Sequence, residues 1–141
     1  MSPVSRRRRA TRGSTMLELS FIFLVFFSLL MGSFDFGQFL FLHQALVERA
    51  RYAARWGMAT TGATTSEIQN MVLYGQPTAG SNGYFGLTSS MVTVTESNPN
   101  TYNWRISVLI SNYPYHMFSP YIAGTYTGPN INVTIPLGKY D

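Results

Sequence analysis

The strongest pattern along the chain is one long apolar run near its N-terminus. No charged residue occurs from Leu19 to Phe34, and after Asp35 the run continues to Leu42. A helix needs about 20 mostly apolar residues to cross the hydrocarbon core of a bilayer. A helix buried in a soluble core is disfavoured, because the remaining chain is too short to cover so long an apolar helix on all sides. Residues 16–42 are therefore predicted to span a membrane.

The next segment, residues 43–56, changes from a uniformly apolar to an amphipathic pattern. It contains no helix breaker, so we expect the helix to continue to Gly57, a typical C-terminal stop. The apolar side of this helix consists of Leu46, Ala50, Ala53 and Trp56. Because such a stripe needs a packing partner, the pattern predicts a stalk that leads from the membrane into a head.

A short helix and three strands are predicted after the stalk. Thr64 and Glu67 have the spacing of a capping box, and the short helix that follows should end near Gly75. Alternation of apolar and polar residues predicts strands at 91–96, 104–111 and 130–135, the first two as an antiparallel hairpin. The predicted fold class is α+β, with a long N-terminal membrane-spanning helix that continues into an amphipathic helix packed on a small antiparallel sheet.

The charge of the chain is concentrated at one end. Half of the ten basic residues lie in the first thirteen positions, whereas all six acidic residues come later. The net charge of +4 therefore describes the N-terminus rather than the body, and overall charge gives no support to nucleic-acid binding. Because positive residues stay on the cytoplasmic side, the N-terminus is predicted inside and residues 43–141 outside the membrane.

A conventional secretory signal peptide is the first alternative for the N-terminal segment. It would need an apolar stretch of about 7–15 residues followed by a cleavage site of small residues. The stretch here is longer, and residues 38–42, QFLFL, offer no such site. Conventional cleavage is therefore disfavoured.

A glycine and a glutamate precede the apolar run at a characteristic spacing. An arginine cluster is followed by Gly13, and Glu18 stands at the start of the apolar helix. This arrangement resembles the class III signal of type IV pilins and pseudopilins, in which a prepilin peptidase cuts after the glycine. The resemblance implies a new N-terminus at Ser14, whose amine would be largely protonated at neutral pH. Glu18, about one helical turn later, could pair with that amine in its own or a neighbouring chain.

The region that follows the apolar run indicates a particular family among the pilin-like proteins. Asp35-Phe36-Gly37 and the Ala/Arg-rich segment 50–55 are similar to the TadE family of pilin-like proteins from tight-adherence (Tad) systems. Membership would imply the pilin-like architecture and a role as a minor pilin or pseudopilin. The implied partners are the membrane, a prepilin peptidase and other pilin-like subunits in a homo- or hetero-oligomeric filament, and no nucleic acid.

Asp35 has two interpretations from sequence. It lies about 31 Å along a helix from Ser14, so it could sit at the far headgroup layer, or it could have an ionic partner. Beside it, Ser33 and Gly37 form a small-x3-small pair that could let helices pack closely. Asp35, Phe36 and Gly37 are therefore candidates for helix packing or for a family signature.

The long segment 112–129 contains several aromatic residues among proline and glycine. They could form a contact surface for other subunits, or they could cover a small core that is short of apolar material. The candidates for this contact loop are Tyr113, Tyr115, Phe118 and Tyr121.

Catalytic patterns are absent from the sequence. It has no cysteine, no nucleophile elbow and no phosphate loop, and its two histidines are far apart. We therefore expect no enzyme, no metal site and no cofactor. The predicted organisation is a basic leader at 1–13, a membrane and assembly helix at 14–57 and an extracytoplasmic head at 58–141.

Two functional hypotheses follow from these patterns. In the first, the chain is a structural pilin-like subunit in the bacterial cytoplasmic membrane that is processed after Gly13 and joins a cell-surface filament through its apolar helix. In the second, it is a single-span, uncleaved anchor for an extracytoplasmic binding domain that does not polymerise. The mature N-terminus distinguishes them.

Overall fold

A computed structural model of the chain describes residues 7–99, 103–119 and 124–136. It contains two α-helices and five strands among these residues. In chain order they are α1 Arg7–Ala59, α2 Thr65–Tyr74, β1 Val92–Ser97, β2 Arg105–Ile110, β3 Pro114–His116, β4 Thr125–Thr127 and β5 Ile131–Pro136. Two single 3₁₀ turns, Tyr84–Gly86 and Ser89–Met91, lead from α2 to β1.

Helix α1 extends beyond the predicted helix at both ends. Its 53 residues correspond to about 80 Å of helix. Among the described residues it is the one helix long and apolar enough to cross a membrane, and no other described part of the chain covers its apolar window. The predicted membrane-spanning helix is thus present as one continuous element with the stalk.

The predicted helix stop at Gly57 was wrong, because α1 continues to Ala59. Gly57 does not have the positive φ that a glycine stop requires, whereas Gly62, in the following turn, has φ +80°. A Cβ atom at Gly57 would lie 2.5 Å from Ile68 Cδ1. The glycine therefore serves the close approach of α2 to α1 rather than helix termination.

The main sheet has three antiparallel strands in the order β1-β2-β5. Val108 in the central strand pairs with Val94 on one side and Val133 on the other, which confirms the predicted hairpin. Helix α1 packs on β2 and β5, and α2 covers β1. The shared core includes Leu46, Ala50 and Ala53 from α1, Ile68 and Val72 from α2, and Val92, Ile106, Val108, Ile110 and Ile131 from the sheet.

Segment 112–129 is not the plain loop that the sequence predicted. Strands β3 and β4 pair antiparallel within it, and Tyr115 stands opposite Tyr126. Each strand has only three residues, too few to produce a readable alternation. The small second sheet folds back against the middle of α1, where Tyr115 contacts Phe39.

Helix α2 has the capping box that the sequence predicted. The Thr64 hydroxyl accepts a hydrogen bond from the Glu67 backbone N–H at 3.3 Å, and the Thr64 backbone N–H donates to Glu67 Oε2 at 2.8 Å. The hydrogen bonds from Thr64 lower the pKa of Glu67 below its ordinary value of 4.5, because they favour the carboxylate form. The helix ends at Tyr74, and the C-cap residue Gly75 has φ +73°.

Arg49 joins the two helices. Its Nε donates to the Val72 carbonyl at 2.9 Å, and its guanidinium lies 3.8 Å above the Tyr84 ring. A cation is favoured beside the last carbonyls of a helix, and stacking on an aromatic face adds to this attraction. The contact fixes the C-terminal end of α2 against α1.

Candidate functional site

The predicted processing site lies inside α1 rather than before it. Gly13 and Ser14 are both helical and exposed, and the helix begins at Arg7. No described atom outside the glycine's own helix turn lies within 4 Å of a Cβ built at Gly13. The site is therefore accessible, and glycine is among the weakest helix formers, at about 1 kcal/mol below alanine in a helix interior.

Glu18 lies on the exposed surface of α1 with large apolar neighbours on both sides. Leu17 and Leu19 are also exposed, at 65% and 53% of their full surface. Among the side chains that the structure describes, no basic group forms an ion pair with Glu18. A carboxylate in such a surface can satisfy its charge only through solvent or headgroups, or through a cation from outside the described residues.

The apolar surface of α1 continues from Glu18 to Phe41. Its large side chains are mostly more than half exposed, among them Phe21, Ile22, Leu24, Phe26, Leu29 and Phe34. A contiguous apolar surface of this size needs lipid or protein to cover it. It can support membrane insertion and helix packing.

Asp35 has a role that neither interpretation from sequence included. It is only 5% exposed, and its carboxylate accepts hydrogen bonds from two backbone N–H groups of the β3–β4 connection. Phe118 N–H donates to Oδ1 at 2.6 Å, and Ser119 N–H donates to Oδ1 and Oδ2 at 3.2 and 3.0 Å. Asp35 thus ties the C-terminal part of the chain to α1 at the end of the apolar run.

The other two residues of the Asp35-Phe36-Gly37 segment take no part in these hydrogen bonds. Phe36 is 64% exposed, and among the described residues nothing outside its own helix turn approaches a Cβ built at Gly37 within 4 Å. The fold of the single chain gives no steric reason for glycine at position 37. Both residues belong to the uncovered surface of α1.

The candidate aromatic contact residues divide into two groups. Tyr113 and Tyr115 are buried in the chain's own core, so they cover the core in the way that the second interpretation from sequence proposed. Tyr115 packs on Phe39 with ring centroids 4.7 Å apart and reaches His43 Nδ1 with its hydroxyl at 3.2 Å. Burial raises the pKa of both tyrosines. Phe118, in contrast, is 79% exposed, and Tyr121 lies outside the described residues.

The described residues offer no arrangement that suggests bound metal. No group of three or more His, Asp or Glu side chains comes together in them. The hydroxyl of Tyr113 is satisfied by the Phe85 carbonyl at 2.7 Å, so the aromatic cluster is closed by its own hydrogen bonds. The chemistry of the candidate site is thus that of apolar surface, one exposed carboxylate and one buried carboxylate.

The long uncovered helix and the small antiparallel sheet define an α+β protein of the pilin-like class. Residues 13–55 match the family model described as TadE-like protein, which confirms the family resemblance over that part of the chain. The match begins at Gly13 and ends within the stalk, so it includes Glu18 and the Asp35-Phe36-Gly37 segment and leaves the head outside. The match suggests a pilin-like protein associated with a Tad pilus. Proteins of the TadE-like family are typically structural rather than catalytic. Searches of curated proteins and of solved structures gave no match.

Proposed function

We propose that the chain is a structural pilin-like subunit, a minor pilin or pseudopilin, of a Tad or type IV-like pilus or secretion system. The observation that carries the proposal is a TadE-like segment that begins at Gly13 and coincides with an apolar helix surface uncovered by the described residues. In this proposal the leader 1–13 is removed by a prepilin peptidase, residues 14–57 insert and assemble, and residues 58–141 form the head.

The location follows from the same features. The arginine-rich leader stays in the cytoplasm, the apolar part of α1 crosses the cytoplasmic membrane once, and the head lies outside. After cleavage, the subunit leaves the bilayer and packs its apolar helix among those of its neighbours at the cell surface. The partners are other pilin-like subunits, whose helices replace lipid as the cover of this surface.

Glu18 sets the register of assembly in this proposal. A charged side chain at the centre of a bilayer costs about 3 kcal/mol, and the cost is also high in a protein core of packed apolar helices. Removal of the leader creates an ammonium group at Ser14, and the attraction between opposite charges is strong at low dielectric. A neighbour's Ser14 amine can therefore neutralise Glu18 only when the two helices are correctly staggered.

Replacement of Glu18 tests this mechanism. We expect Glu18→Val to insert in the membrane and lose its leader as the natural chain does, but to be strongly depleted from purified filaments or secretion complexes. Glu48→Val is the matched control, because Glu48 is an exposed acid of the same helix that pairs with Arg51 at 2.8 Å. Equal incorporation of the two variants would contradict the pairing role, and equal loss of both would trace the defect to the helix surface in general.

A further inference from the structure

The most exposed large apolar side chain that the structure describes lies in the head and not in the apolar helix. Phe118 is 79% exposed, compared with 75% for Met16 near the start of the helix. The two backbone N–H groups at positions 118 and 119 are held by a buried carboxylate, so the backbone that carries this ring is fixed. A single exposed ring is common on protein surfaces, but Phe118 lines a groove with exposed apolar residues of α1, and a contiguous apolar surface of this kind is covered by lipid or protein.

Phe118 forms one wall of an open groove with α1. The groove has a volume of about 780 Å³, and the rest of its lining comes from the end of the apolar run, including Leu30, Phe34, Gly37 and Phe41. Leu30 and Phe34 also belong to the uncovered surface of the membrane-spanning segment. The groove is therefore continuous with the surface that lipid covers along the rest of the span.

The depth of the groove can be read from the helix rise. Asp35 follows Glu18 by about 26 Å along α1, and the hydrocarbon core is about 30 Å thick. With Glu18 at the inner edge of the hydrocarbon, the contact between Asp35 and the loop lies about 4 Å inside its outer edge. Lipid chains of the outer leaflet are then the apolar material at the level of the groove.

We propose that the described part of the loop, Phe118 and Ser119, is a second membrane contact, in which Phe118 dips into the outer leaflet and acyl chains occupy the groove. The proposal rests on the proposed membrane anchorage of α1 and adds a point of attachment from the head. Asp35 acts as a positioning residue, because its hydrogen bonds hold the loop at one height on the helix. Two separate contacts with the bilayer would fix the orientation of the head before the subunit assembles.

The chain contains no cysteine, so single cysteines can carry a spin label in the full chain without removal of any natural thiol. We would label Phe118→Cys, with Phe26→Cys as the lipid reference in the middle of the span and Tyr52→Cys as the water reference on the stalk. Phe26 and Tyr52 are 56% and 61% exposed, so both labels sit on open surface. Each protein is reconstituted at high lipid excess in phosphatidylethanolamine–phosphatidylglycerol vesicles.

Collision of the label with oxygen, which concentrates in lipid, and with a nickel chelate, which stays in water, reports the depth of each position. We expect the oxygen-to-nickel collision ratio at position 118 to exceed that at position 52 and to approach that at position 26. A ratio at position 118 equal to that at position 52, with position 26 in lipid, would overturn the membrane contact and leave the anchorage of α1 intact. If position 26 also behaves as water-exposed, the anchorage and the proposal both fail.

Two further outcomes test the occupant and the positioning residue. A label at position 118 could instead be shielded from both reagents, with its spectrum broadened by the label of a neighbouring chain. That result would assign the groove to another copy of the chain and overturn the lipid proposal. In the Phe118→Cys background, Asp35→Asn should raise nickel collisions at position 118, whereas the exposed-acid control Glu48→Gln should not. An unchanged collision ratio in Asp35→Asn, with an unchanged Tyr52→Cys spectrum as the check of folding, would overturn the role of Asp35.

Discussion

At the scale of single residues, Asp35 determines how the head meets the helix. Its carboxylate holds the backbone N–H groups of Phe118 and Ser119, which are more than eighty positions away along the chain. A buried carboxylate that accepts hydrogen bonds from backbone amides contributes more to stability than a surface ion pair. Its loss should therefore affect the fold itself, before any effect on assembly.

We expect Asp35→Ala to lower the free energy of unfolding by about 3 kcal/mol, because the hydrogen bonds from the Phe118 and Ser119 N–H groups to a buried carboxylate are lost. Denaturation of the full chain in detergent micelles, followed by tryptophan fluorescence, measures this change. Glu48→Ala, which removes an exposed acid from the same helix, should cost much less. A similar decrease in the free energy of unfolding in the two variants would show that the Asp35 contact contributes little to stability.

Gly128 is a second residue whose identity has a specific structural reason. A Cβ at this position would overlap the Tyr115 ring, lying 2.6 Å from its Cδ2 atom, and that ring is almost fully buried. We expect Gly128→Ala to destabilise the chain by about 1–3 kcal/mol, because a rigid ring in a packed core cannot move aside at low cost. Gly37→Ala is the control in the same denaturation experiment, since its Cβ would enter open space. A Gly128→Ala variant as stable as that control would contradict the packing of β3 on the glycine.

At the scale of elements, the stability of α2 should depend on pH through its capping box. The folded state lowers the pKa of Glu67, so this carboxylate contributes stability above its unfolded pKa and loses the contribution as the pH falls through the folded value. We expect the melting temperature of the full chain to fall more steeply below about pH 4.5 than that of Glu67→Gln, which cannot titrate. Parallel melting curves against pH for the two proteins would contradict this role of the capping box.

The elements that sequence predicted are those whose signal is local and repeated. The stripe through Leu46, Ala50 and Ala53 and the alternation in β1, β2 and β5 each repeat several times within one segment, so their periodicity identified both the elements and the faces that pack together. Strands β3 and β4 are too short to repeat a pattern, and Tyr115 in β3 packs against Phe39, which is 76 positions earlier in the chain. The contacts of Asp35 and Arg49 join residues far apart in sequence, so no local pattern indicates them.

At the scale of the whole molecule, α1 belongs to two environments. Its first part, up to Phe41, exposes apolar side chains, whereas residues 43–56 have one buried stripe and one mostly polar side. We expect the chain to remain with membranes after a wash in high salt and after a wash in alkaline carbonate, because an apolar helix and not the arginine cluster holds it there. Release by salt alone would show that charge attraction to anionic lipid is the anchor, since salt screens that attraction.

The central claim is that Gly13 marks the end of a removable leader, because only its removal frees the Ser14 amine that meets Glu18 in an assembled subunit. The intact mass of the chain, purified in functional form from the cells that make it, tests this claim most directly. The account predicts a polypeptide that begins at Ser14 and lacks all five arginines of the first thirteen residues. A functional chain that still carries those arginines would contradict it and would leave a tethered extracytoplasmic domain in place of a filament subunit.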